Sequence, residues 1–340
     1  YPKFESQADV YRFIIDSLDV ANSRYNLKKG LQFNTNGDKM YCTSGSDLEG
    51  ILKWKKFTNS LRLRALLRVI DSEELGNLAK TELKKMMADP ATYPVFESNE
   101  DNAKVHISGI APDEAPMTRP SDLSSYKSLS EFFINRLQAW KDPRLAVFAK
   151  QATNKNPETG KNEKSYIGLP SGYDVEPTFT ASSPNASNLA TAPQDIQCLT
   201  YAEVLFIKAE LAQRGIISDD AKQLYEKAVT AAITQWGVEV PEAYFENEKA
   251  AYDGTLRRIM EQKFYALFFI DFQQWFEYNR TGYPDVPKGP GVDASLHMPY
   301  RFKYPAILQR MNRNHYLEAV QSMGGDDFDT KLIWQKRPEL

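Results

Sequence analysis

The chain has 340 residues, with 42 Lys and Arg against 45 Asp and Glu and a formal net charge of −3 at neutral pH. That balance removes the basic footprint a general nucleic-acid binder requires, so no nucleic-acid partner is expected. Two cysteines, Cys42 and Cys198, exclude a disulfide framework and a cysteine-based metal motif, and no run of about 18 apolar residues exists to span a membrane. A single Cys42–Cys198 bridge stays open as an alternative.

The first helix is expected over Ser6 to Asn22, where Val10, Phe13, Ile14, Leu18 and Ala21 recur at helical spacing and form a face that must pack on something. A polar loop from Gly30 to Gly45 follows. Within it Asn34, Asn36 and Asp38 surround Gly37 but lack the remaining ligands of a calcium loop, so a turn is expected. Ser46-Asp47-Leu48-Glu49 has the form of a capping box and opens a helix to about Asp71. The bases Lys53, Lys55, Lys56, Arg62, Arg64 and Arg68 on that helix are read as a solvated face together with buried arginines paired to carboxylates. A third helix, Glu73 to Met87, ends at Asp89-Pro90, because a residue before proline disfavours helical backbone.

Two stretches, about 89–127 and 150–198, are rich in Pro, Gly, Asn and Ser and read as loop insertions of one domain spanning 1–340. Between them Ser128-Leu129-Ser130-Glu131 opens a helix to about Trp140, closed by Asp142-Pro143-Arg144. Thr200-Tyr201-Ala202-Glu203 caps a helix to Arg214 with Gly215 behind it, and Ser218 starts the next, about Asp219 to Trp236. Ala221, Tyr225 and Ala228 sit at the small, aromatic and small positions of a tetratricopeptide second helix, a unit of about 34 residues. A long aromatic helix is expected from about Thr255 to Tyr278, ending in Arg280-Thr281-Gly282-Tyr283-Pro284, and a short one from about Asn312 to Ser322.

No arrangement for bond chemistry stands out. His106, His297 and His315 have no paired spacing for zinc, and no nucleophile elbow, phosphate loop or dinucleotide fingerprint is present, so neither metal nor cofactor is expected. The abundant carboxylates sit mostly at helix starts, where caps and dipoles explain them. The aromatics of the Gly/Pro-rich stretches remain, because rigid rings in loops serve binding at low entropic cost. Tyr93, Tyr126, Tyr166, Tyr173 and Phe179 are the candidate ligand-binding residues, with Tyr166 and Tyr173 foremost.

An ordered series of motifs resembles the SusD/RagB family of outer-membrane lipoproteins. It comprises Tyr11 to Ala21, Trp54 to Arg64, Asp142-Pro143-Arg144, Tyr166-x-Gly168, Tyr201 to Glu210, Gln262-Lys263, Trp275, Arg280 to Pro284, Pro299-x-Arg301, Tyr304-Pro305, Asn312, Asn314-x-Tyr316, Gly325-Asp326 and Trp334. Asn279 departs from the family's signature, which carries Arg there, and the N-terminal portion with its lipidated cysteine is expected to be missing from a chain opening at Tyr1-Pro2-Lys3-Phe4. The resemblance implies a mostly α fold of tetratricopeptide-like pairs with loop-rich insertions. It implies a non-enzymatic protein that binds oligosaccharide at the cell surface and partners a SusC-like, TonB-dependent transporter. A peptide-binding member and a transporter-docking protein without its own ligand site are the alternatives; a carboxylate glycosidase is the remaining one.

Overall fold

The structure, a computed structural model, describes residues 1–29, 37–41, 48–114, 119–123 and 128–336. Helix α1 (Gln7–Arg24) begins at Ser6, whose hydroxyl accepts the Asp9 N–H at 3.0 Å. It lies on α2 (Leu48–Arg68) through Ala8, Tyr11 and Ile15. The expected packing stripe was different: Val10, Phe13 and Ile14 face outward, and Phe13 is 72% exposed. The helix carries two apolar stripes about 100° apart, and the inner one also carries Asn22, whose amide oxygen accepts from Asn59 of α2 at 2.8 Å. A polar group with a buried partner decides the rotation that apolar periodicity leaves open.

Helix α2 ends at Arg68, three residues before the expected stop, and α3 (Gly76–Ala88) starts after a turn. Ser46 and its expected cap lie outside the described residues, as do Asn34 and Asn36. Asp38 is in a turn, accepting the N–H groups of Met40 and Tyr41 at 3.1 and 3.0 Å and the Trp54 indole N–H at 2.9 Å.

The insertions are less irregular than expected. They hold β1 (Ala103–Ile107), β2 (Ala149–Lys150), β3 (Ala152–Lys155), β4 (Asn162–Ser165), β5 (Ser183–Pro184) and β6 (Gln194–Leu199). These pair antiparallel as β1 with β6, β2 with β5, and β3 with β4. In β1, Ala103, Val105 and Ile107 do alternate with Lys104 and His106, a strand signal within a stretch read as loop; the polar, shorter β2 to β5 offer no such alternation. Between β1 and β2 stand α4 (Glu131–Trp140), capped by Ser130 and not Ser128, and α5 (Arg144–Phe148); α6 (Ala186–Leu189) follows β5.

Helix α7 (Tyr201–Gln213) and α8 (Ala221–Thr234) form the tetratricopeptide-like pair. Thr200 caps α7 and Asp220, not Ser218, caps α8. Helix α7 is buried around its circumference. Ala202, Leu205, Phe206 and Ala209 join one hydrophobic core with α4, α5, α8 and the helix after it. Val204, Ile207 and Leu211 join a second core with α1, α2 and α3. The remaining stripe holds Glu203 and Glu210, seven residues apart and both buried.

The expected long aromatic helix is two helices, α9 (Leu256–Ala266) and α10 (Gln273–Thr281). In the turn between them Phe269 and Asp271 take left-handed backbone, with φ of 65° and 45°. The ion pairs explain the break. In a continuous helix Lys263 and Glu277 would stand about 21 Å apart; folded back, the Lys263 Nζ lies 2.7 Å from Glu277 Oε2. The chain continues to α11 (Ala306–Met311), which was not expected, and α12 (Arg313–Met323).

Arg280 holds both carboxylate oxygens of Glu210, at 2.8 and 2.6 Å, and Glu277 at 2.7 Å. Arg68 approaches Glu277 at 3.3 Å, Arg214 joins Glu210 to Asp71, and Arg64 clamps Glu203. The bases of α2 meet half of the expectation: Arg62 and Arg68 are buried against acids, but among the described residues they form no solvated basic face, since Lys56 is also buried, on Asp101 and Glu97, and Lys53, Lys55 and Arg64 are half-buried. A second buried group joins Arg144, Asp142, Tyr244 and Gln262. Burial alone would raise the carboxyl groups of Glu277 and Glu210, but the facing Arg280 overcomes it, holding Glu277 well below the usual range and Glu210 below it too.

Removing one partner leaves the others charged and buried, so Arg280→Met is expected to cost about 3–5 kcal/mol in urea unfolding; a loss below about 1 kcal/mol would show the network is not what holds these helices. The depressed carboxylates of Glu277 and Glu210 contribute stability that is complete above the unfolded glutamate pKa of about 4.3 and is lost as pH falls through their lower folded values. Unfolding free energy should therefore be level near neutral pH and decline steeply below about pH 4, and a level profile down to about pH 3 would contradict the pairing.

Candidate ligand-binding site

The segment after β4 is fixed on α4 before it reaches solvent. Leu169 accepts the Glu131 N–H at 2.8 Å and donates to Leu129 O at 2.9 Å. This close approach requires Gly168, where a Cβ would stand 2.2 Å from Glu131 Cα. From that anchor Ser171, Gly172 and Tyr173 project as one wall.

The opposite wall follows α10. Gly282, with φ of 82°, ends the helix, and a cis Tyr283–Pro284 bond directs the chain into the stretch from Val286 to Tyr300. The two walls meet backbone to backbone, with the Gly291 N–H donating to Gly172 O at 2.7 Å. Glycine is required there: a Cβ on Gly289 would lie 1.8 Å from Ser171 O, and one on Gly291 would lie 2.4 Å from Tyr173 O. The Lys288 ammonium closes the loop on itself, donating to the carbonyls of Ala294 at 2.7 Å and Leu296 at 2.8 Å. Asn279, buried on α10, donates to the carbonyls of Pro299 and Tyr300 at 3.4 and 3.2 Å. The family-departing residue therefore secures the loop to the helix.

Between the walls lies a cavity of about 810 Å³. Val286, Val292, Leu296 and Met298 give it apolar surface, Tyr278 and Tyr300 form part of the lining, and Lys288, His297 and Asp329 supply polar groups. That mixture of a mostly apolar surface with a few polar groups is the usual character of a small-ligand site. The Ser295 hydroxyl and N–H both donate to Asp293, closing the loop's turn, and these bonds hold that carboxyl below the ordinary range.

Of the expected ligand residues, Tyr173 stands beside this cavity, next to the lining Gly172, and is 40% exposed. Tyr166 is half-buried against the first core, with its carbonyl accepting from Gln138 at 3.1 Å. Phe179 is half-buried beside Thr180, which exchanges hydrogen bonds with Asn154 of β3. Tyr93 is 8% exposed in the second core, with Arg62 and Lys85 over its ring, and so serves the fold instead of a cleft. Tyr126 lies outside the described residues, and so does Cys42; Cys198 is half-buried in the second core. Tyr278, His297, Met298 and Tyr300 were not foreseen, although Gly289-Pro290-Gly291 set among apolar residues was the available signal. A separate aromatic patch joins Trp275 and Phe302, rings 5.1 Å apart, to Phe272; Phe272 is 55% and Phe302 64% exposed.

Residues 1–305 match the SusD-like family model described as "starch-binding associating with outer membrane". Among solved structures, a chitin-binding protein is similar at 26% identity and a TM-score of 0.80, over 98% of this chain and 74% of its own. A putative outer-membrane protein from Bacteroides vulgatus, described as probably involved in nutrient binding, is similar at 27% identity and a TM-score of 0.81, over 99% and 77%. A SusD homologue from Bacteroides fragilis is similar at 26% identity and 0.79, over 98% and 76%. Among curated proteins nothing matches the chain.

Gly289→Ala should separate the walls, since its methyl group cannot coexist with Ser171 O. Overpacking of this kind is expected to cost about 1–3 kcal/mol in thermal or urea unfolding, and unchanged stability with an unchanged crystal structure of the loop would refute the close contact.

Proposed function

The chain belongs to the SusD-like family, and from that membership we propose that it captures oligosaccharides at the outer-membrane surface and passes them to a TonB-dependent, SusC-like transporter. The observation that carries the ligand half of this reading is the cavity between Ser171–Tyr173 and Val286–Tyr300. Its apolar side chains, with the exposed Tyr173 beside them, offer C–H and ring surface to a sugar face, and its few polar groups orient hydroxyls. The similarity to a chitin-binding protein favours N-acetylated sugars as the first ligands to test.

Binding without bond cleavage is the reading the lining favours. Asp329 is the one carboxylate among the described residues that line the cavity, whereas glycoside hydrolysis ordinarily employs two, about 5–9.5 Å apart. No helix among the described residues is long and apolar enough to cross a membrane, and residence at the outer membrane by a lipid anchor belongs to this same proposal.

Isothermal titration against chitooligosaccharides, starch oligosaccharides and a peptide panel tests it. Saturable binding of a neutral oligosaccharide is expected, weakened about tenfold by Tyr173→Ala, as loss of one stacking ring implies. A folded protein that ignores every glycan and binds peptides would replace this reading with the peptide one.

A further inference from the structure

The cavity and the aromatic patch stand on the same two elements. Tyr278 of α10 and Met298 and Tyr300 of the wall that follows it line the cavity. Asn279 donates to the carbonyls of Pro299 and Tyr300, so that stretch lies against the last turn of α10. From there the chain runs back along the helix. Phe302 packs on Trp275 with ring centroids 5.1 Å apart and on Phe272 at 6.3 Å. Trp275 precedes Tyr278 by three residues, about 4.5 Å along the axis, and Phe272 lies the same distance further on. The patch therefore begins where the cavity lining stops.

Its rings are held from below. Phe276 and Trp334 meet edge to face at 6.1 Å, the Arg68 guanidinium stands 5.0 Å from the first ring and 5.2 Å from the second, and Trp275 leans on Phe276 at 5.7 Å. On that support Phe272 is 55% and Phe302 64% exposed, although phenylalanine is ordinarily a buried residue. The turn before α10, left-handed at Phe269 and Asp271, ends at Phe272 and leaves its ring at the surface. Clustered, exposed and rigidly backed rings beside a ligand cavity have the character of a binding surface.

From this continuity we propose that the patch is a second subsite for the same oligosaccharide. One part of the chain lies in the cavity, and a sugar further along it stacks its C–H face on Phe302 and Phe272. The two ring planes differ by 73°, so a flat polymer surface cannot lie on both, and the occupant is a single soluble chain that bends over the corner. Affinity then depends on chain length: a disaccharide occupies the cavity alone, whereas a longer chain reaches both surfaces. The assignment rests on the glycan reading above.

Isothermal titration of the intact protein with chitooligosaccharides and malto-oligosaccharides, from disaccharide to hexasaccharide, tests it. In the series that binds, the hexasaccharide should bind about tenfold more tightly than the disaccharide. The double variant Phe272→Ala, Phe302→Ala, altered only at exposed positions, should remove most of that gain: the hexasaccharide weakens about tenfold and the disaccharide by less than about twofold. Tyr173→Ala should instead weaken both lengths. Equal affinity at every length, or a folded double variant that binds the hexasaccharide as the unaltered protein does, would overturn the subsite. A double variant that keeps glycan binding and loses a protein partner would make the patch a protein-docking surface, and overturns it too. If Tyr173→Ala still weakens both lengths, those results leave the cavity reading standing; only the absence of binding at every length in both series removes the two together.

Discussion

Two glutamates on one stripe of α7 set the rest of the molecule in place. Glu203 and Glu210 are buried where water cannot reach them, so each demands a cation delivered by a different element: Arg64 from α2, and Arg280 from α10 with Arg214 beside it. Glu277 then draws in Lys263 and Arg68. Networks of this kind add little net stability over well-packed apolar side chains, but a wrong arrangement strands a charge in the interior. Here they determine where α2, α9 and α10 stand relative to α7, and they fold the aromatic segment back on itself at Leu267–Phe272.

The consequence reaches the ligand cavity. Arg280 is two residues before the glycine that ends α10, so locking its guanidinium fixes the point from which the Val286–Tyr300 wall departs. Asn279, its neighbour, ties the far end of that wall to the same helix. Across from it, Gly168 fixes the Ser171–Tyr173 wall to the start of α4. The helical frame has no direct role in lining most of the cavity, yet it sets the separation of the two loops that do. Of the signature residues, Gln262, Lys263 and Arg280 are buried in the frame, whereas Trp275 is half-buried in the aromatic patch with Phe302.

Much of this frame was legible in the sequence because periodicity and capping report directly on helices. The Thr200 cap, the α7–α8 pair and the paired arginines of α2 follow from spacing and residue type. What was missed depends on partners far away in the chain. The rotation of α1 turns on Asn22 meeting Asn59, and the break between α9 and α10 turns on Lys263 meeting Glu277. Of the strands joining the insertions, β1 did alternate, at Ala103, Val105 and Ile107, and was lost among its Pro- and Gly-rich flanks, while β2 to β5 were too short and polar to show alternation. Loop composition did not separate Tyr173, which is exposed beside the cavity, from Tyr93, which is buried in the second core, because aromatic content near prolines does not reveal whether a ring turns to the core or to solvent. The tail's contribution went unread because its glycines matter only through the loop they touch.

Hydrogen-exchange mass spectrometry with and without a bound oligosaccharide tests the placement of the ligand most directly. Binding in the cavity predicts slowed exchange in peptides covering Gly168–Asp174 and Val286–Tyr300, with α7 and α8 unchanged. Protection confined to the helical pair, or to the Phe272–Phe302 aromatic patch with both loops unaffected, would contradict it.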